Sequence, residues 1–550
     1  MKRIAAGFLS VVSLLAMVTL PACKPGGNGG SIDEEGEYGK YSKEVHFTTA
    51  RNSVADAKMP EGMTLTDNPY VDYLKSDLNV TYEILWEDSM YEDRLLMDVT
   101  AGTLPDVFPV YSYTMYQQLY LSDMLADLTD VYEQYATESM KDRYNTYGEN
   151  GSRIFDPVTE AGRLMALPAT ANGYEQELLW VRKDWLDILG LQPPKTIDEI
   201  ADVAKKFVEQ DPGGNGKGNT VGLNINREHS FSGYRNSYGL EPLANAMGAF
   251  PGLWIEDASG ELQYGSIRPE FKQTLAKVRE WTDAGIIDKK CFDQTWEPIW
   301  NNVTSGKAGM WFFPWNWAGS PEFIENNPRA EVICYPAPLD QNGKAVYATG
   351  APFEMMLCVR KGYEHPEVIF KVFHLYEDMQ NGVYKEAYDA LAPVREANTA
   401  WYYIAPLANY CCRYYDQIPR DNAKLHAYLE DGTEPTPFTD VTRQNYDQIK
   451  NYIANDLEGT SDDWCKYMTS YVSQSVVNGP ECQPVDPAFF FILKDTVDIW
   501  DYLKTIESDA VRTIMNGEES VEYFDTFVQD WKEAGGDDVT AAVKEYLAER

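Results

Sequence analysis

The tryptophans of the stretch SGKAGMWFFPWNWAG, namely Trp311, Trp315 and Trp317, are the side chains whose type and spacing point most directly to binding chemistry. Indole rings stack on flat or ring-shaped ligands that offer an apolar C–H face, with neighbouring polar groups taking the hydroxyls. The competing role is packing, since an indole fills a core equally well. Arg51 and Arg182 can each hold a carboxylate through paired hydrogen bonds. In a chain with 86 acidic residues, both arginines can instead be partners of nearby Asp or Glu. The run DPGGNGKGN places Asp211, Asn215, Lys217 and Asn219 on part of a calcium-loop template, with Lys217 offering its backbone carbonyl. That template wants oxygen side chains at positions 1, 3, 5 and 12 and a glycine at 6. Gly213 and Gly222 stand at positions 3 and 12, so a plain Gly/Asn turn is the expectation and a structural calcium the alternative. The histidines His46, His229, His365, His374 and His426 form no HExxH, and no GxSxG elbow, P-loop or GxGxxG occurs. Carboxylate pairs at glycosidase separation arise by chance in so acidic a chain, so no catalytic residue is assigned and no enzyme activity is expected.

Those side chains must be carried by a large body. The 550 residues suffice for two lobes, each with its own core. The net charge of −39 excludes a nucleic-acid partner, because no basic surplus exists to displace counterions from phosphates. Lys2 and Arg3 precede an apolar run from Ile4 to Leu20 that is too short for a confident spanning helix, and Leu20-Pro21-Ala22-Cys23 follows. This resembles a bacterial lipobox, which implies a signal peptide over 1–22 and a diacylglycerol on Cys23. Residues 24–43 are Gly-rich and polar, and with Cys23 they read as a flexible tether of about 25 Å. Cys291, Cys334, Cys358, Cys411, Cys412, Cys465 and Cys482 remain. Their odd number leaves at least one free thiol, and the adjacent Cys411 and Cys412 read as packed thiols.

From Glu44 the pattern is strand, helix, strand, helix, strand. Val45 and Phe47 alternate, Asn68-Pro69 open a helix, and LPDVFPVY supplies the third strand. Such an order implies a parallel sheet covered by helices, with ligands beyond the carboxyl ends of the strands. That rule points to Arg51, Tyr111 and Tyr113. Further on, Leu178–Val181 is a strand, a helix runs from about Arg182 to a stop at Gly190, and Thr196 with Glu199 forms a capping box for the next helix.

The succession WVRKDWLDILGL, PPKTIDEI, DPGGNGK resembles the extracellular solute-binding proteins of bacterial sugar ABC importers, especially the large lipoprotein members of Gram-positive bacteria. The resemblance implies an α/β fold of the two-lobe, type II periplasmic-binding class. Each lobe would be a mixed, mostly parallel sheet flanked by helices, with a hinge between. Lobe 1 would comprise 44–168 plus about 335–378, and lobe 2 about 169–334 plus about 379–550. It also implies that Trp311, Trp315 and Trp317 reach an interlobe cleft, joined by Tyr174, Trp180, Arg182 and Glu354. Arg51 and Arg182 would suit an acidic sugar. The expected function is capture of an oligosaccharide and delivery to ABC permease subunits by a monomer held on the outer face of the cytoplasmic membrane. Alternatives are a surface glycan-binding lipoprotein without a transporter, a lipid-anchored glycoside hydrolase or lyase, and a receptor for a peptide or other polar solute. The aromatic stretch WYYIAPLANYCCRYY and its surroundings, 380–500, match nothing that can be placed.

Overall fold

The computed structural model describes residues 34–35, 38–53, 59–227, 230–231, 237–257, 259–336, 338–397, 404–405, 407 and 412–549. The expected signal peptide, Cys23 and Cys411 lie outside the described residues.

Val45–Asn52 pairs in parallel with Val80–Asp88 as a two-stranded sheet. Between them the helix Pro69–Leu78 is started by Asn68, whose side chain accepts from the amides of Tyr70 and Val71. The helix buries Tyr70, Leu74 and Leu78. In a separate three-stranded sheet Val107–Val110 and Leu167–Thr170 both run antiparallel to Phe353–Val359, which lies between them. Asp106 ties these strands together. Its carboxylate accepts from the Thr48 amide (2.9 Å), the Thr48 hydroxyl (2.8 Å) and the Arg360 guanidinium (2.5 Å). Burial alone would raise the Asp106 pKa, but the Thr48 and Arg360 bonds outweigh it and hold the carboxyl below the usual range. A depressed folded pKa contributes stability that is full above the ordinary carboxylate pKa of about 3.9 and is lost as pH falls through the folded value. Asp106→Asn should therefore lower the melting temperature clearly at pH 7. The gap to the parent should close below about pH 4, as measured by thermal melts across pH.

A four-stranded sheet has the order Val221–Asn224, Ala308–Pro314, Glu177–Arg182, Val332–Tyr335. The first pair is parallel, and Glu177–Arg182 is antiparallel to both of its neighbours. The helix Lys183–Leu189 ends on Gly190 in the left-handed conformation. Ile197–Gln210 carries the capping box: the Thr196 hydroxyl accepts from the Glu199 amide and the Glu199 carboxylate accepts from the Thr196 amide. Its buried face of Ile200, Val203, Ala204 and Phe207, at the spacing of one helix face, lies on this sheet. A glycine at 309 makes that approach possible, because a Cβ there would come within 2.3 Å of the Phe207 ring.

Among the described residues these layers build two large hydrophobic cores, with a small third cluster of Phe250, Ile255 and Ala348. One gathers side chains from Tyr41 to Ala169 and from Phe353 to Cys412. The other gathers Leu178 to Cys334 and Ile418 to Val543. The folded body therefore starts a few residues before Glu44: Tyr41 is buried beneath the Lys371 ammonium, 3.9 Å from its ring centre, and donates to Glu367. The first core also reaches past residue 378, through Ala387, Leu391 and Val394 to Cys412. The long unplaced region beyond holds the helices Gln417–Asp431 and Asp440–Ala454 and the π-helical turn Tyr467–Ser473. Among the described residues Cys334, Cys358, Cys465 and Cys482 are free thiols. Burial pushes Cys465 and Cys482 up to about 11, well away from the reactive thiolate. No described helix is long and apolar enough to cross a membrane.

Candidate functional site

The chain passes between the two cores at 171–176, 338–352 and 412–417, and these crossings are bonded to one another. The Ala171 amide donates to the Pro352 carbonyl and the Gly173 amide to the Tyr415 carbonyl, both at 2.9 Å. The Arg413 amide donates to the Thr170 hydroxyl oxygen at 2.7 Å. The Tyr147 hydroxyl, from the first core, donates to the carbonyl of Ala171. At the far end of the crossings Asp486 accepts from Thr349 (2.5 Å) and Tyr415 (3.0 Å) and pairs with Arg153 (2.9 Å).

Beside the crossings a groove opens between the cores, with a cavity of about 510 Å³. One wall is the helix Val368–Asn381, presenting Glu377, Gln380 and Asn381, together with Ser139 and Arg143 of Glu138–Tyr144. The other wall is Gln417–Asp431, presenting Asp421 and Lys424, with Gln474 and Trp315. Asn172 and Arg413 bring the crossings to the same space. The groove continues past shared lining residues into a second cavity of about 740 Å³, where Asn445, Tyr446 and Ser470 join. Arg143 pairs with Glu377 across this wall and also donates to the Cys412 carbonyl (3.1 Å) and the Ser139 hydroxyl (3.0 Å). Burial pushes the Glu377 carboxyl up and the guanidinium pulls it part-way back; Arg143 itself is held charged against its own burial by Glu377.

Trp315 is half-buried and lines this groove. Its backbone carbonyl accepts from the Ser473 hydroxyl at 2.8 Å, so the π-helical turn fixes the loop that carries it. The neighbouring tryptophans do something else. Trp311 sits directly opposite Trp180 in the antiparallel ladder. Trp317 closes over both, with ring centres 4.7 Å and 4.8 Å away, and Phe323 packs beside it. Relative exposures of 0% for Trp180 and Trp311 and 3% for Trp317 leave no ring face for a ligand in this conformation. The expected cleft positions of these three are thus replaced by core positions. Pro314 ends the strand, and the 3₁₀ turn Trp315–Gly319 swings Trp317 back over the sheet while leaving Trp315 at its edge.

Arg182 is also engaged. It grips Asp184 at 2.8 Å and 2.5 Å, donates to the Gly306 carbonyl and lies over the Trp185 ring. Arg51 lies 3.9 Å from Glu87 on the paired strand. Tyr111 is half-buried, with its ring edge-on to Tyr91. Tyr113 is buried, donating to the Pro157 carbonyl and stacking on Phe491, a side chain packed against both cores. Tyr174 is half-buried on the first crossing, edge-on to Tyr415, and Glu354 is exposed near the start of its strand. Reasoning from the sequence missed Asn172, Arg143, Glu377 and Gln474, which belong to elements far apart in the chain.

The Asp211 turn does not fit a calcium ion. Its one carboxylate already accepts from the amides of Asn215 (3.0 Å) and Gly216 (2.8 Å) and from the Thr220 hydroxyl. The Asn219 side-chain carboxamide nitrogen donates to the Asn215 carbonyl. Among the described residues no group of three or more His, Cys, Asp or Glu side chains could hold a metal. Thermal melts with excess calcium and with EDTA should agree within about 1 °C, whereas a required ion would add stability by mass action.

Two cores, three hydrogen-bonded crossings and a groove walled by both make up this site. Residues 57–374 match the family described as bacterial extracellular solute-binding protein, and the chain belongs to that family. It is 27% identical over 240 residues to the polygalacturonan/rhamnogalacturonan-binding protein YtcQ of Bacillus subtilis, covering 42% of this chain and 44% of that one. It is 22% identical over 345 residues to the fructooligosaccharide ABC transporter substrate-binding protein FusA of Streptococcus pneumoniae, covering 58% of this chain and 60% of that one. The chain thus spans about half the length of the curated relatives it matches. Among solved structures, an HMO-binding, ABC-transporter-associated solute-binding protein from Bifidobacterium longum infantis superposes with a TM-score of 0.61 at 16% identity, covering 92% of this chain and 98% of that one. The alginate-binding protein AlgQ2, solved without calcium ion, does so at 0.56 and 16% identity, covering 92% and 98%. At these identities the likeness shows the fold, a type II solute-binding fold of mixed α/β sheets.

Proposed function

We propose that this protein captures an oligosaccharide in the groove between its cores and delivers it to the membrane subunits of an ABC importer. The observation that carries this reading is the groove itself, lined from both cores beside the crossings and holding an indole next to carboxamides. A ligand touching both walls binds the closed form better than the open one and shifts the population towards it. Trp315 and Tyr174 supply aromatic faces for sugar rings, while Gln474, Asn381 and Asn172 take hydroxyls. Arg51, Tyr111 and Glu354 belong to the lobe-1 face of the cleft. Lobe 1 is built on the core from Tyr41 to Ala169 and from Phe353 to Cys412, and lobe 2 on the core from Leu178 to Cys334 and from Ile418 to Val543. The chain performs no chemistry of its own. Lipid on Cys23 holds it at the outer face of the cytoplasmic membrane as a monomer; a protein named as a lipoprotein, LipO of Bacillus subtilis, is 33% identical over 131 residues, which supports the anchor.

A thermal-shift screen against an oligosaccharide panel tests the reading. A ligand at 100 times its dissociation constant adds about 2.7 kcal/mol of stability. A stabilising sugar recovered intact is the expected result. A sugar recovered as fragments would replace this reading with the hydrolase or lyase, and a flat response to every sugar would remove the carbohydrate assignment.

A further inference from the structure

We infer that the groove selects a neutral, hydroxyl-rich oligosaccharide over a polyuronate. This rests on the sugar-binding reading above and narrows it to one substrate class. A polyuronate carries a carboxylate on each ring, and a closing groove must meet those charges with cations that are not already neutralised. Among the described residues, every arginine and lysine facing this groove except Arg413 is paired with a carboxylate. Arg143 is held by Glu377, the Cys412 carbonyl and the Ser139 hydroxyl. Lys424 lies 3.5 Å from Asp421. Lys466 lies 3.1 Å from Asp462 and donates to the Gln448 carboxamide oxygen at 2.6 Å. Arg413 has no carboxylate within ion-pair distance among the described residues, but it is exposed, where water and salt screen its charge.

The remaining polar lining points the same way. Gln474 and Asn381 approach the groove from opposite walls, and Asn445 extends the row into the second cavity. A carboxamide donates and accepts at once, as a hydroxyl does. The carboxylates of Glu377 and Asp421 line the same space and would repel an anionic ring while accepting from a neutral one. Arg51 and Arg182, the other arginines suited by type to a uronate, lie beside Glu87 and in the grip of Asp184.

Calorimetric titration of the whole protein with neutral fructo-oligosaccharides and manno-oligosaccharides, and with oligogalacturonate and oligoalginate of matched length, tests this. The expected result is a neutral ligand that binds at least about tenfold tighter than either uronate. Its affinity should be unchanged between about 50 and about 500 mM salt and weakened about tenfold by Gln474→Ala. A uronate that binds as tightly as the neutral ligands or tighter, losing affinity with salt and with Arg413→Gln, would overturn the inference and leave the sugar reading standing. Absence of binding by both classes would overturn both.

Discussion

Replacing Trp311 by alanine is expected to cost about 3–5 kcal/mol of folding stability, the range for removing a fully buried large aromatic side chain. Its indole is 0% exposed and holds Trp317 and Phe323 against the sheet, so its loss opens a cavity that neighbours only partly fill. The companion change, Trp315→Ala, should move stability little and weaken sugar binding by about 2 kcal/mol, roughly thirtyfold in dissociation constant. Chemical denaturation and calorimetry of the two variants separate the roles. If Trp315→Ala unfolds the protein while Trp311→Ala folds normally and binds poorly, the division drawn between core and groove is reversed.

The second large effect is expected at Gly173. A Cβ built there would lie 2.1 to 2.5 Å from atoms of the Tyr415 ring. That ring has little room to move. Its hydroxyl donates to Asp486, its backbone carbonyl accepts from Gly173 itself, the Tyr147 ring stands edge-on at 5.5 Å and the Arg153 guanidinium lies 5.7 Å from its centre. Gly173→Ala must therefore push the first and third crossings apart. Overpacking of this kind costs about 1–3 kcal/mol. Because the crossings set the angle between the cores, ligand affinity should fall by more than the stability loss explains. Tyr415→Ala in the same chain should recover part of the loss, a coupling read from the double-mutant cycle. Additive effects of the two changes would mean that the ring is not the obstacle.

How far the sequence could be read depended on whether the signal was local. The Thr196–Glu199 capping box, the Gly190 stop and the Asn68-Pro69 helix start are set by residues within a turn of one another, and each appears where the spacing predicts. The parallel pairing of Val45–Asn52 with Val80–Asp88 follows from the intervening helix. The division of labour among Trp311, Trp315 and Trp317 was not legible, because it depends on a 3₁₀ turn after Pro314 that reverses the direction of Trp317. The groove was hidden for a different reason. Arg143 and Glu377 are 234 residues apart, and nothing local shows that their helices share a wall. Ile418, Leu425 and Tyr428 do show the spacing of a helix face, so the helix Gln417–Asp431 could have been recognised from its sequence. Its partner across the groove could not, since that follows from where the third crossing leaves the first core.

The measurement that tests the central claim most directly is small-angle X-ray scattering of the protein with and without a saturating oligosaccharide, saturation being established by calorimetry. Closure of two cores about the crossings predicts a smaller radius of gyration and a shorter maximum dimension in the bound state. Saturating binding with an unchanged scattering curve would contradict a hinged receptor.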